Sequence, residues 1–510
     1  MAPRRTLVAL VSSISILAAG ALASPAAAHG RGGTPERFAQ QVSTRAVLGH
    51  LAALQQIADR NGGNRAALTP GYEASARYVE KTLRKAGYRT ERDPFTFDRE
   101  VIDTATLTAG ATAYEVDQMA FSPNAPAGGV TADLAAPTDP LGCAPDDWAG
   151  VEVTGRIALV SRGVCPFGDK AVNAEAAGAV GVVIYNNVPD VQLFGTLGAE
   201  GLVEVPVAGI RQADGQALAT ALAAGPVTVT LDLSSHVETV ESFNVIAETR
   251  QGRDDNVVML GAHLDGVEEG PGINDNGTGS AAILEVAVQL AKSHTRHHNT
   301  VRFAWWGAEE LGLQGSTAYV AELATQEGEL DRIATYLNYD MVGSPNYIIG
   351  VYDADQSTYP APVEVPAGSE ATEDVLTTWF DSVGQPWVDT EFSGRSDYQA
   401  FILNGIPASG LFTGADDIKT DEEVALFGGT AGITHDPNYH SAGDDLSNVN
   451  RTALAIMTKA IAASTYSLAW DTSAINGVSG PGDDRPRPWP GHGHGRHGDQ
   501  DDRTLWERAS

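Results

Sequence analysis

The sequence predicts an α/β protein: a mixed, mostly parallel sheet flanked by helices, interrupted by a separate insert rich in β structure. Two observations carry this expectation. After residue 235 the apolar runs VVMLGAH, VRFAWWG and ATYLNYD have strand length and are separated by helical stretches such as GSAAILEVAVQLAKS. Such alternation implies parallel strands with helices on both faces. Between about Gln118 and Leu233, by contrast, the chain turns rich in Ala, Gly, Pro and Val and nearly devoid of histidine, as a second folding unit would be. At 510 residues the chain exceeds what one core organises.

Taken in order, residues 1–28 read as an export signal. Arg4 and Arg5 precede an apolar run from Leu7 to Ala23, and the small residues of ALASPAAA offer cleavage after Ala23 or Ala28. Ser12, Ser13, Ser15 and Gly20 interrupt that run, and no other segment approaches the roughly 20 apolar residues of a spanning helix. A secreted protein without a membrane partner is expected. Val42, Val47, Leu48, Leu51, Leu54 and Ile57 then approximate one helical face, which NGGNR stops. A second helix is expected from Gly71 to Ala86, with Gly87 as its stop, before the strand-like RTERDPFTF.

Within the insert, IALVSRGVCPFGDKAVNAEAAGAVGVVIYNN reads strand, loop, helix, strand. The chain has two cysteines, Cys143 and Cys165; in an exported protein this isolated pair predicts a disulfide and no cysteine catalysis. From about Gly477 onward the tail is Pro, Gly and charge and should be disordered, with His492, His494 and His497 solvated in it. The formal net charge of −32 argues against a nucleic-acid partner and is read as a solubility device.

The chemistry concentrates in the C-terminal half. His263 in GAHLDG, Asp275 in INDNGTG, Glu309 and Glu310 in WWGAEELG, Asp340 in LNYDMVG and His440 in PNYHSAGDD stand at the ends of apolar runs or in the loops that follow. Open α/β sheets bind ligands at that edge. Two imidazoles and three carboxylates suffice for two divalent metals if one carboxylate bridges, which leaves one of the glutamate pair as a base on metal-bound water. The pair alone would read as acids at a helix N-terminus; with four other ligand candidates at strand ends, the metal reading prevails.

These motifs, together with FSGRSDY, LFTGADD and FGGTAGITHDPNYHSAGDDLSNVN, resemble the M28 family of zinc aminopeptidases of the Streptomyces type. The segments RGVCPFGDK, NAEAAGA and VGVVIYNN resemble the protease-associated (PA) domain, which such peptidases carry as an insert. The resemblance implies a zinc-peptidase α/β/α sandwich in two pieces, residues 36–115 and 236–475, around a PA domain at 118–233 and ahead of a tail at 477–510. It implies His263 and Asp340 on one Zn²⁺, Glu310 and His440 on a second, Asp275 bridging both through its carboxylate, and a bridging hydroxide with Glu309 as general base. Tyr439 would stabilise the oxyanion and Arg395 would lie near the substrate, although Arg395 also reads as an ion-pair residue. Asp265 would accept the second N–H of His263, with a simple turn role as the alternative.

His435 competes with His440, and the flanking Tyr and acidic pair favour His440 through the resemblance. His294, His297 and His298 read as surface residues. Relatives carry cysteines on either side of the Tyr-His motif; here Asn438 and Gly443 stand at those places. The implied protein is a monomeric, secreted, di-zinc aminopeptidase that removes N-terminal residues, apolar ones such as Leu, from peptides and proteins. Nothing in the sequence indicates Ca²⁺. A carboxypeptidase or dipeptidase of the same fold, a non-catalytic peptide-binding relative and a single-zinc cyclase of N-terminal glutamine are the alternatives. The full ligand set disfavours the last two.

Overall fold

A computed structural model describes residues 33–189, 191–293 and 296–478. The expected signal, the tail beyond residue 478 and His294 lie outside these residues. The chain forms two compact units, one built from residues up to Asp93 together with those from Phe243, the other from Pro94–Ser242.

The first unit opens with α1 (Pro35–Gln41), α2 (Thr44–Arg60) and α3 (Pro70–Ala86). Of the apolar face read as one helix, Val47, Leu48, Leu51, Leu54 and Ile57 lie on α2, and Val42 falls in the break between α1 and α2. Val42 is extended, and the Ser43 hydroxyl accepts the Ala46 N–H to cap α2. A capping serine inside an apolar pattern stops one helix and starts the next. α3 ends at Gly87, whose φ of 105° closes the helix in the left-handed region.

The second unit takes up most of β1 (Thr90–Ala109), then β2 (Thr112–Tyr114), β3 (Val116–Gln118), β4 (Val130–Ala135), β5 (Ile157–Ser161), α4 (Phe167–Ala176), β6 (Gly181–Tyr185), β7 (Val207–Ile210), α5 (Gln212–Ala224) and most of β8 (Thr228–Glu248). Because β1 pairs with β2 and β8, this unit begins earlier than the change in composition. Strands β4 to β7 run parallel side by side. Ile157 and Leu159 pack on one face of β5, Ala158 and Val160 on the other, so the unbroken apolar run is explained by burial on both sides. Cys143 and Cys165 form a disulfide.

Beyond β8 the first unit alternates as expected: β9 (Arg253–His263), α6 (Gly279–Ser293), β10 (Asn299–Trp306), α7 (Gln314–Ala324), β11 (Ile333–Asp340), β12 (Gly350–Tyr352), α8 (Ser369–Val383), β13 (Val388–Thr390), α9 (Tyr398–Leu403), β14 (Ala408–Phe412), α10 (Asp421–Phe427) and α11 (Arg451–Trp470). Its sheet runs β13-β12-β14-β11-β9-β10-β8. Strands β10, β9, β11 and β14 are parallel; β8 and β12 are antiparallel to their neighbours. Alternate residues serve the two faces. Val258, Leu260, Phe303, Trp305, Leu337 and Tyr339 enter one core, while Met259, Ala304, Trp306 and Tyr336 enter the other. Among the described residues no helix is long and apolar enough to cross a membrane.

Candidate metal centre

Strand register brings the candidate ligands to one level. His263 ends β9 opposite Trp306 of β10, and Asp340 ends β11 opposite Phe412 of β14. Glu309 and Glu310 follow β10 after Ala308, which adopts φ 56°, and Met341, next to Asp340, adopts φ 48°. His440 itself sits at φ 51°. Left-handed backbone at non-glycine residues is uncommon and gathers at functional sites. Asp275 lies in the irregular turn Ile273–Thr278 that leads into α6. The Asp444 carboxylate holds that turn, accepting the Asn274 and Asp275 N–H groups at 2.8 and 2.9 Å.

The side chains converge in pairs. His263 Nε2 is 3.2 Å from Asp275 Oδ1 and 3.3 Å from Asp340 Oδ1. His440 Nε2 is 3.2 Å from Asp275 Oδ2 and 3.0 Å from Glu310 Oε2. Each oxygen of Asp275 therefore faces a different imidazole. Glu309 stands off, its Oε2 3.9 Å from His263 Nε2.

The electrostatics ask for positive charge. Burial opposes protonation of His263, yet Glu309, Asp340 and Asp275 hold its pKa well above the usual imidazole value. Burial likewise opposes His440, which Asp275 and Glu310 push up to about 10. Burial and then Asp275 raise Glu310 to about 7. Glu309 is raised by burial and by Asp397, Asp340 and Glu310, against the pull of His263. Asp340 Oδ1 and Glu310 Oε1 are buried and accept no hydrogen bond. A field that draws protons so strongly draws metal cations equally, and the donor set of imidazole and carboxylate suits zinc. His263, Glu309 and Asp340, and separately His263, Asp275 and Glu310, lie close enough for each triplet to share an ion.

The remaining expectations divide. The ring N–H of His263 meets the main-chain carbonyl of Asp265 at 3.2 Å, while the Asp265 carboxylate is 3.8 Å away. That carboxylate instead accepts the Glu309 and Glu310 N–H groups, both at 3.3 Å, so it steadies the glutamate pair. Tyr439 stacks on His440 with ring centroids 3.8 Å apart, and its hydroxyl accepts from Arg395 at 3.3 Å. Arg395 also pairs with Asp416 at 3.0 Å. His435 is buried in the cavity wall and stays out of the cluster. The surface reading of the histidine turn needs correction: His297 is buried, and His298 is half-buried and donates to the Trp470 carbonyl at 3.0 Å, because the end of α11 packs there.

Three supporting residues escaped sequence reasoning. Fully buried Arg65 donates to the carbonyls of Leu264, Pro271 and Gly272, bracing the segments after His263 and before Asp275. Ser396 donates to Asp340 Oδ2 at 2.6 Å. Asp444 cradles Asp275 as described; its place in the acidic end of HSAGDD was the available signal, whereas Arg65 offered none. Asp353, Asp355 and Glu373 form a further acidic group. Backbone N–H groups of Ala354, Asp355, Ser357, Thr358 and Tyr359 already engage its carboxylates, so hydrogen bonding accounts for it.

Comparison with known proteins points the same way. The sequence profile of peptidase family M28 matches residues 244–465, and that of the PA domain matches residues 130–218. The chain is 44% identical over 444 residues to the probable lipoprotein aminopeptidase LpqL of Mycobacterium tuberculosis, covering 86% of this chain and 87% of that one. It is 41% identical over 451 residues to leucine aminopeptidase 2 of Trichophyton tonsurans, covering 87% of each. Among solved structures it is similar to BSAP, a zinc aminopeptidase from Bacillus subtilis, at a TM-score of 0.66 and 27% identity over 83% of this chain and 95% of that one. The aminopeptidase from Aneurinibacillus sp. strain AM-1 gives a TM-score of 0.65 and 29% identity, over 85% of this chain and 95% of that one.

Proposed function

Because the chain belongs to peptidase family M28 and is a zinc metallo-aminopeptidase acting on peptides, we propose that it is exported, holds two zinc ions and removes single residues from unblocked N-termini. The observation that carries the two-metal reading is Asp275, whose two oxygens each lie 3.2 Å from a different imidazole. His263 and Asp340 would hold one ion, His440 and Glu310 the other, with Asp275 shared. Buried Asp340 Oδ1 and Glu310 Oε1, which accept no hydrogen bond, fit the same assignment. Zinc, when bound, supplies Lewis acidity that polarises a carbonyl and makes water nucleophilic near neutral pH.

The chain's own residues do the rest. Glu309, made more basic by burial and surrounding carboxylates, takes the proton of the attacking water and returns it to the departing amine. Tyr439 keeps its proton because burial, Asp275 and Glu310 raise its pKa, so it serves as a donor to the oxyanion. Arg395 orients that hydroxyl while pairing with Asp416. Asp265 and Asp444 hold the backbone that carries Glu309, Glu310 and Asp275. Met341, Ile348 and Phe412 line the adjoining cavity and accept a large apolar first side chain; the name of the Trichophyton tonsurans relative supports leucine.

The test pairs metal analysis with substrate blocking. Two zinc ions per chain, loss of activity on chelation with recovery on added zinc, and inert N-acetylated substrates are expected. One zinc per chain with cleavage of N-acetylated peptides, or release of residues from the C-terminus, rejects the reading.

A further inference from the structure

The candidate metal residues open into a cavity of about 400 Å³ whose other walls carry charge that the metals do not use. Asp389, Glu391, Asp417 and Glu423 line it together with apolar Met341, Ile348, Tyr352 and Phe412. Among the described lining residues, Arg395 is the one lysine or arginine, and it is paired with Asp416. The nearby Lys419 has its ammonium on the carbonyls of Asn346 and Tyr347. Tyr359 lines the same cavity, and after burial it is Glu423, Asp389, Asp417 and Glu391 that raise the pKa of its hydroxyl.

A buried polar group independent of the acids marks the same place. The His435 side chain is 3% exposed and lines the cavity, yet neither ring nitrogen makes a hydrogen bond. Its Nε2 stands 3.5 Å from Glu423 Oε2. Burial keeps the ring neutral against the pull of Glu423, so one nitrogen is an acceptor. The ring occupies the space over Gly414, where a Cβ would fall 2.4 Å from His435 Cγ. Gly414 is two residues past Phe412, the strand partner of Asp340, and His435 lines the same cavity as the metal cluster. Asp389 Oδ1 is likewise buried without a partner, while its other oxygen accepts the hydroxyls of Ser357 and Thr358.

We propose that this pocket is a subsite for a basic first side chain, lysine or arginine, whose charged end is received by Glu423, His435 and Asp389. The inference rests on the aminopeptidase reading and names its substrate class. The unsatisfied groups include two acceptors, Asp389 Oδ1 and one nitrogen of the neutral His435 ring, beside the carboxylate of Glu423, and an ammonium or guanidinium brings them several donors together with a positive charge. The methylene stem of such a side chain lies along Ile348, Tyr352 and Phe412 while its head reaches the carboxylates. Leucine satisfies the walls and leaves the buried acceptors without donors, a cost that a basic residue removes. Leucine is therefore accepted and basic residues are preferred.

The experiment compares kcat/KM of the zinc-loaded full chain on arginine, lysine, citrulline and leucine p-nitroanilides. Citrulline matches arginine in shape without its charge. Arginine is expected to exceed citrulline by about tenfold or more, as hydrogen bonds between charged groups allow. Asp389→Asn and Glu423→Gln each keep their internal hydrogen-bond acceptors, and each should lower that ratio severalfold. An enzyme that cleaves leucine but favours arginine over neither citrulline nor leucine overturns this inference alone, as does a ratio unmoved in both variants. An enzyme that cleaves none of the four overturns the aminopeptidase reading with it.

Discussion

Replacing Glu309 by glutamine keeps the volume of the side chain and removes its capacity to take a proton. Its oxygen lies 3.9 Å from His263 Nε2, against 3.0–3.3 Å for the four imidazole–carboxylate separations within the proposed ligand set. The substitution should therefore leave both zinc ions in place. What it removes is a carboxylate held basic by burial and by Asp397, Asp340 and Glu310. General-base catalysis is worth about 10²–10⁴-fold, which corresponds to about 3–5 kcal/mol of barrier. The assay is kcat at saturating leucine p-nitroanilide, with zinc per chain measured on the same sample. Glu310→Gln is the control, since it should lose zinc as well as turnover. A Glu309→Gln variant that keeps kcat within threefold, or that sheds one zinc, would refute the division of labour within the pair. The second outcome has a structural rival ready, because Glu309 could share an ion with His263 and Asp340.

Three further outcomes follow from the supporting residues. Asp444→Ala strips the acceptors from the Asn274 and Asp275 N–H groups and should weaken zinc binding about 10–100-fold, read by competition with a chelator; unchanged affinity would remove Asp444 from the support of the site. Arg65→Lys replaces a fork serving three carbonyls by a single ammonium and should cost about 2 kcal/mol in thermal or denaturant unfolding. A neutral result would mean that these loops hold themselves. Cys143→Ser should destabilise the Pro94–Ser242 unit by about 3 kcal/mol, from the loop entropy of a 22-residue separation, and the wild type should show no free thiol when denatured without reductant.

The parts of the fold legible in the sequence were those with a local cause. Strands β9, β10 and β11 are buried on both faces and read as continuous apolar runs, and α6 between the first two is buried along most of its length. The long strand β8 was not legible as one element, because it is continuously buried only from Asn244 to Ala247, alternates from Thr228 to Leu233, and has no buried residue in its middle, SSHVETVE. Its strand character comes from pairing with β1, a partner more than a hundred residues away. The three-residue β12 and β13 are too short to carry a period at all. The proposed ligands were legible for a related reason. His263, Glu310 and Asp340 are placed where apolar segments end, which is a feature of the local sequence, whereas Asp275 and His440 stand in loops and were read through the motifs around them.

What the sequence hid is how distant segments hold one another. Arg65 stands in NGGNR, where it reads as a helix stop, yet its partners lie 199 to 207 residues away. The His440 loop makes the same point. The cysteines expected of the resemblance are replaced by Asn438 and Gly443, which suggested a looser loop. In the fold these two residues still meet, since a Cβ on Gly443 would lie 2.3 Å from Asn438 Oδ1. Asn438 donates to Asn448 at 2.8 Å, and Asn448 donates to both Asp436 and Asp444. Asp436 then accepts from the Asn274 side chain at 2.7 Å, while Asp444 takes the N–H groups of Asn274 and Asp275. The loop that carries His440 is thereby tied to the turn that carries Asp275, the residue proposed to share both metals. A disulfide closes a loop on itself; this network fixes the loop against its partner ligand, and that relative position is what a shared carboxylate requires.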